Sequence, residues 1–354
     1  MASRLLAALR DEVFSLDQAM TVSEHHWPSR RAVLSAFAVG GAALAFGGRA
    51  SAASWQDTAV TDPKSRRRIG LRIRLPDTQE AAPLLLYSPG LGSGVSNGAA
   101  WCEAWRQAGY VVVTMSHPVT NDEIWNTGRR SFSENLAAAL SGGQYPARVV
   151  DTRFVIGQCL SSLGIEARID GTRIGVAGHS YGAITVQALA VESANAPAEA
   201  KGVIRAAVAL SPGVLSVDQA GRMAAARMPF FCVTGDHDNF VTFSKDGHAR
   251  RLGVPLANRL AVYGGLPRGA KQLLVLAGAD HMTFAGEAID GRRFSRDVPA
   301  GRAESEAVWG RVSAATTAFW QRVLAAKGAP GQARDAYLAA VKAQLGPRDR
   351  LEIG

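Results

Sequence analysis

Gly178-His179-Ser180-Tyr181-Gly182 is the stretch of this chain best suited to covalent chemistry. It follows an apolar run ending at Ala177 and precedes a helix-like stretch, so Ser180 belongs on a sharp strand-to-helix turn. A nucleophile on such a turn needs glycine two residues away on each side, because a Cβ there would keep the neighbouring backbones apart. With 37 glycines in 354 residues a G-x-S-x-G match is common by chance, so its placement carries the inference. A serine hydroxyl is a weak nucleophile until a base takes its proton. His281 follows the apolar run 273–276 and is the candidate base. Its competitors are His25, His26, His117, His179, His237 and His248. His25 and His26 fall in an N-terminal address segment, and the turn around Ser180 would point the His179 side chain away from the hydroxyl.

A base of this kind is held in its working tautomer by a carboxylate. Thr234-Gly235-Asp236-His237-Asp238 follows the preceding apolar run and offers two candidates. Asp238 is preferred, because G-x-x-D is the usual spacing for such an acid, whereas Asp236 sits where a turn carboxylate bonds its own backbone. The reaction would also need amide donors for a developing oxyanion. Tyr181, the first residue after the nucleophile, supplies one at a helix N-terminus, where free N–H groups and the positive dipole end gather. Leu91, in Ser88-Pro89-Gly90-Leu91-Gly92-Ser93-Gly94, is the candidate for the second. That loop looks mobile; it lacks the lysine of a phosphate-binding loop and makes a poor dinucleotide fingerprint.

These residues require a scaffold that brings several loops to one edge. Ile69, Leu71, Ile73 and Leu75 alternate with Gly70, Arg72 and Arg74, the period of a half-exposed strand, read as an antiparallel edge strand. The runs 84–87, 111–113, 174–177, 206–210, 230–233 and 273–276 are continuously apolar, which suits strands buried on both faces of a parallel sheet. Helix-length stretches lie between and after them at 99–107, 148–163, 183–191 and 303–324, and Leu338, Val341 and Leu345 recur at helical spacing. The expectation is an α/β fold, a mostly parallel doubly wound sheet with helices on both faces and functional residues beyond the strand carboxyl ends. Residues 53–354 read as one domain.

Composition narrows the function classes. The chain is 47% hydrophobic and 19% charged, the balance of a globular protein with a large core. Its net charge of +9 is scattered except at Arg66-Arg67-Arg68, which disfavours a nucleic-acid site, since phosphate backbones need a focused patch. No apolar run is long enough for a transmembrane span. Cys102, Cys159 and Cys232 have neither metal-ligand spacing nor an even count, and read as buried small hydrophobes. Trp101, Trp105 and Trp125 read as core before they read as a binding platform. Residues 1–52, with Ser29-Arg30-Arg31, an alanine- and glycine-rich stretch and Ala50-Ser51-Ala52, resemble a twin-arginine export signal. That resemblance implies handling by the Tat machinery and a periplasmic or secreted mature chain.

Taken together, S-P-G-L-G-S-G, G-H-S-Y-G-A, T-G-D-H-D and L-L-V-L-A-G-A-D-H-M-T-F resemble the dienelactone-hydrolase-like and platelet-activating-factor-acetylhydrolase-like serine esterases, over most of residues 65–345. The chain order Ser180, Asp238, His281 is that of α/β-hydrolases. The resemblance implies an α/β-hydrolase fold with a small or absent lid and a Ser180/Asp238/His281 triad. It also implies an oxyanion hole of Leu91 and Tyr181, no metal, no cofactor, and a small-molecule or lipid-like ester as substrate. True dienelactone hydrolases use cysteine at the elbow, so Ser180 points to ordinary carboxyl esters. Pro89 brings the loop close to polyester hydrolases and cutinases. An amidase on the same triad and a non-catalytic binding protein of the same fold are the other expectations.

Overall fold

The computed structural model describes residues 55–354 apart from 127, 129–131, 194–201, 215–216, 239, 244–248, 253–255, 287–301 and 325–329. The address segment at residues 1–52 and the competitor His248 lie outside the described residues. In chain order the elements are β1 (Gln56–Thr61), β2 (Arg68–Arg74), β3 (Ala82–Ser88), α1 (Ala99–Gln107), β4 (Val111–Ser116), α2 (Phe132–Ala139), α3 (Gln144–Ser161), β5 (Ile169–His179), α4 (Tyr181–Glu192) and β6 (Ile204–Leu210). They continue with α5 (Val217–Arg222), β7 (Phe230–His237), β8 (Phe240–Phe243), β9 (Ala249–Leu252), α6 (Leu256–Gly265), β10 (Lys271–Asp280), α7 (Arg302–Val323), α8 (Pro330–Lys342) and β11 (Arg350–Ile353).

Nine strands form one sheet in the order β1-β2-β4-β3-β5-β6-β7-β10-β11. The six from β4 to β10 run parallel. The flanking pairs β1/β2, β2/β4 and β10/β11 are antiparallel. Each apolar run read from the sequence lies in a parallel strand. β3, β4 and nearly all of β6 are buried on both faces, because helices cover the sheet on each side. Alternate residues serve two cores. Leu84 and Leu86 pack with α3 and α4, while Leu85 and Tyr87 pack with Trp101, Trp105, Phe319 and Trp320 of α1 and α7. Each of these large side chains contributes roughly 1.5–3 kcal/mol by leaving water.

One expectation is corrected. The alternating strand at 69–75 is antiparallel, but it is not an edge: β2 pairs with β1 on one side and β4 on the other. The edge is β1, whose sequence QDTAVT is too polar to announce itself, and whose Asp57 accepts from Nε and NH2 of Arg72, each at 2.7 Å. Cys102, Cys159 and Cys232 are buried and unbridged, and burial pushes the Cys102 thiol up to about 11. Among the described residues no helix is long and apolar enough to cross a membrane.

Strand order decides where a ligand can sit. From β3 the chain steps to β4 on one side, then crosses to β5 on the other. At such a reversal the loops leaving the two strands diverge and open a crevice beyond their carboxyl ends. The loop 88–94 leaves β3 there, and Ser180 leaves β5 beside it.

Candidate active site

Ser180 occupies the turn between β5 and α4 with φ 54° and ψ −114°, a conformation that side chains other than glycine rarely adopt. It is held there from both sides: its N–H donates to Leu210 O of β6 at 3.1 Å, and its carbonyl accepts the Ile184 N–H that starts α4. The flanking glycines are steric requirements. A Cβ at Gly182 would lie 1.8 Å from the carbonyl oxygen of Ser88, and one at Gly178 would lie 2.5 Å from the backbone of Gly182. The helix, the strand and the loop after β3 therefore touch through bare backbone.

The predicted partners converge on this turn. Ser180 Oγ lies 3.0 Å from His281 Nε2, and His281 Nδ1 lies 2.9 Å from Asp238 Oδ1. With Nδ1 protonated toward the carboxylate, Nε2 keeps its lone pair for the serine proton. β7 and β10 can deliver these two residues side by side because Gly235 lets the strand ends close up; a Cβ there would sit 2.0 Å from Ala279 O. Asp236 stays outside the relay: it is exposed, and its Oδ1 accepts the Gly278 N–H at 2.7 Å, bracing the two strand ends.

Asp238 is buried, and burial alone would raise its carboxyl. The hydrogen bond from His281, the Arg259 charge and the hydroxyl of Thr234 outweigh this and hold it well below the usual carboxylate range. Thr234 Oγ1 donates to Oδ2 at 2.7 Å and Ser211 Oγ donates to Oδ1 at 2.8 Å. Arg259 NH2 lies 3.3 Å from Oδ1.

Sequence reasoning did not single out Ser211 or Arg259. Ser211 leaves β6 with φ 52°, buried, its Oγ 2.8 Å from His281 Nδ1. Its signal was its place at the carboxyl end of an apolar strand. Arg259 rides on α6, whose leucines at 256 and 260 and Tyr263 recur at helical spacing. His179 turns away from Ser180 as expected, yet it has a partner: Nε2 donates to His281 O at 3.0 Å. Burial, and then the neighbouring His281, hold its pKa well below the ordinary histidine value, so it stays neutral while anchoring the backbone of His281. Of the other competitors, His237 is exposed beside Asp236, and His117 is buried elsewhere.

The loop after β3 is pinned, which corrects the expectation of a mobile glycine loop. Gly92 N–H donates to Thr120 O at 2.9 Å, and Trp125 Nε1 donates to Gly92 O at 2.8 Å. Arg148 of α3 donates to Pro89 O and to Ser88 Oγ, the latter at 3.0 Å, and its guanidinium lies over the Tyr181 ring, 4.9 Å from the centroid. One buried cation thus touches both segments expected to carry the amide donors, Leu91 and Tyr181. Trp101 and Trp105 are fully buried in the core and cannot serve as a platform.

Behind that loop lies a second Ser–His–Asp chain. Ser88 Oγ is 3.0 Å from His117 Nε2, and His117 Nδ1 is 3.0 Å from Asp151 Oδ2. Arg67, from the one basic cluster in the sequence, grips both Asp151 oxygens at 2.8 Å. Among the described residues no cluster of His, Cys, Asp and Glu has the make-up of a metal site. Neither the family models nor the curated proteins compared with the chain give a match.

Proposed function

We propose that this chain has the α/β-hydrolase fold in a single domain from residue 53 onward, and that it hydrolyses carboxylic esters through an acyl-enzyme on Ser180. One observation carries the reading: a serine held at positive φ on a strand-to-helix turn, its Oγ 3.0 Å from an imidazole whose far nitrogen is 2.9 Å from a buried carboxylate. In this reaction His281 Nε2 takes the hydroxyl proton as Ser180 Oγ attacks the ester carbonyl carbon. The Asp238 charge stabilises the imidazolium. The Tyr181 and Leu91 amides hold the tetrahedral oxyanion, and His281 then gives its proton to the departing alcohol. Water, deprotonated by the same imidazole, attacks the acyl carbon and frees the acid. No step calls on a metal or cofactor.

A fluorophosphonate probe should label Ser180, and p-nitrophenyl esters from C2 to C12 should be turned over with a chain-length optimum. A chain that neither labels nor turns over any ester would be a binding protein on this scaffold, and a preference for matched amides would make it an amidase. Export through the twin-arginine route is part of the proposal, on the strength of residues 1–52. N-terminal sequencing of periplasmic material should find a start near residue 53, and an intact Met1 on cytoplasmic protein alone would refute export.

A further inference from the structure

The described groups around the His281 imidazole are easily named. Ser180 and His179 come from the β5 turn, Ser211 from the end of β6, Asp238 from the loop after β7, and Arg259 from α6. The adjacent Asp280 is spent on its own turn, accepting from the N–H and hydroxyl of Thr283 at 2.8 and 2.7 Å. Among the described residues, the charged or titratable side chains seen against the ring are Asp238, Arg259 and the neutral His179. Arg259 is the one whose role the relay itself does not demand.

Arg259 is buried, and its geometry is specific. Its NH2 lies 3.3 Å from Asp238 Oδ1, the same oxygen that His281 Nδ1 approaches at 2.9 Å, and 3.2 Å from Nδ1 itself. In the working tautomer both nitrogens carry protons, so the two N–H groups compete for one carboxylate oxygen. Its NH1 donates to Ser211 O at 3.2 Å and Pro212 O at 3.0 Å, which fixes the guanidinium against the end of β6. Arginine keeps its charge under these conditions because its intrinsic pKa is so high. A fixed positive charge at this distance opposes protonation of the imidazole directly, and again by neutralising part of the Asp238 charge.

We propose that Arg259 is a positioning residue for this reaction, sharing the Asp238 carboxylate with His281 and thereby extending the base's working range toward lower pH. The proposal rests on the serine-hydrolase reading above. Both electrostatic effects have the same sign, so removing the charge makes His281 easier to protonate. The acidic limb of kcat/KM, which reports protonation of the free enzyme's base, then moves to higher pH.

The test is the pH profile of p-nitrophenyl butyrate hydrolysis for wild type, Arg259→Gln and Arg259→Lys. The limb should rise by about one to two pH units in Arg259→Gln and stay near wild type in Arg259→Lys, which keeps the charge. An unmoved limb in Arg259→Gln with rates lowered equally at every pH would overturn the proposal, and so would equal movement in both variants. If Arg259→Gln does not fold, Arg259→Met, which keeps the packing of the stem, carries the same comparison. Failure of both neutral variants to fold would assign Arg259 to stability alone and overturn the proposal. If wild type neither labels with fluorophosphonate nor cleaves esters, the hydrolase reading fails by itself. The Arg259 effect is then read by NMR titration of the His281 ring in the same proteins, where the midpoint should still rise without the charge.

Discussion

Around Ser180 the hydroxyl lies 3.0 Å from an imidazole nitrogen and the far nitrogen lies 2.9 Å from Asp238; around Ser88 the corresponding distances, to His117 and Asp151, are both 3.0 Å. The hydrogen bonds do not distinguish the two chains, and their surroundings do. Ser180 is half-buried at positive φ and opens a helix, whose first amides by helix geometry have no intrahelical acceptor. Ser88 ends a strand, is only 2% exposed, and its oxygen already accepts a hydrogen bond from Arg148. Burial and the Arg148 charge push His117 down to about 4, so it is a poor proton acceptor, and Asp151 is occupied by Arg67. Proton-relay geometry is thus no sufficient mark of a nucleophile. On the proposed reading, access, a strained turn and a helix N-terminus separate chemistry from structure.

The sharpest way to break this comparison is to exchange the serines' expected fates. Ser180→Ala should lower kcat for p-nitrophenyl esters by on the order of 10⁴–10⁶-fold, with a thermal midpoint close to wild type. Ser88→Ala should still label with fluorophosphonate, and labelling at Ser88 in wild type would erase the distinction. Asp238→Asn should cost about 10⁴-fold in kcat by favouring the wrong tautomer, while Asp236→Asn stays within a few-fold. The reverse ranking would transfer the acid role.

Effects on the second chain should appear as stability. Asp151→Asn leaves Arg67 facing a neutral partner in a largely buried site and should cost roughly 3–5 kcal/mol in urea unfolding. A loss below about 1 kcal/mol would show the network to be ornamental. His117 adds a pH signature. Its folded pKa of about 4 lies below the ordinary 6.5, so its stabilisation is complete above pH 6.5 and lost as pH falls through 4. Asp151, also lowered, loses its share below the usual carboxylate range, in the same direction. His117→Asn should therefore flatten the fall of unfolding free energy between pH 6.5 and 4 by roughly 3 kcal/mol, whatever its cost at pH 7. The smallest effect is that of Ser88→Ala itself, about 1–2 kcal/mol from the lost hydrogen bonds, with kcat within tenfold.

Much of this was legible beforehand, for reasons particular residues make plain. The parallel strands announce themselves because burial on both faces forces continuous apolar runs such as Leu84-Leu85-Leu86, and Ser180, Asp238 and His281 stand directly behind such runs. What escaped notice lacks that signature. β1 and β11 are short and polar at the sheet edges, and β8 and β9 form a separate hairpin. Ser211 and Arg259 act through contacts that join residues 48 apart in sequence, which no local pattern records. The same holds for Arg67 and Asp151, 84 apart, so a run of three arginines reads as solvated surface although its middle member reaches a buried carboxylate. Periodicity reports which face of an element is covered, and says nothing of which polar groups meet beneath the cover.

The contact of Gly182 with Ser88 O restricts how such a protein could be redesigned. One strand end supplies the roof of the second network with its side chain and the close approach to the Ser180 turn with its peptide groups. Libraries that vary Arg148 or Gly182, or that place anything larger than alanine at Ser88, should therefore return collapsed or mis-set proteins. Altered selectivity should be sought on the outer side of the loop, around Trp125, where an indole clamps Gly92 O and remains partly open to solvent.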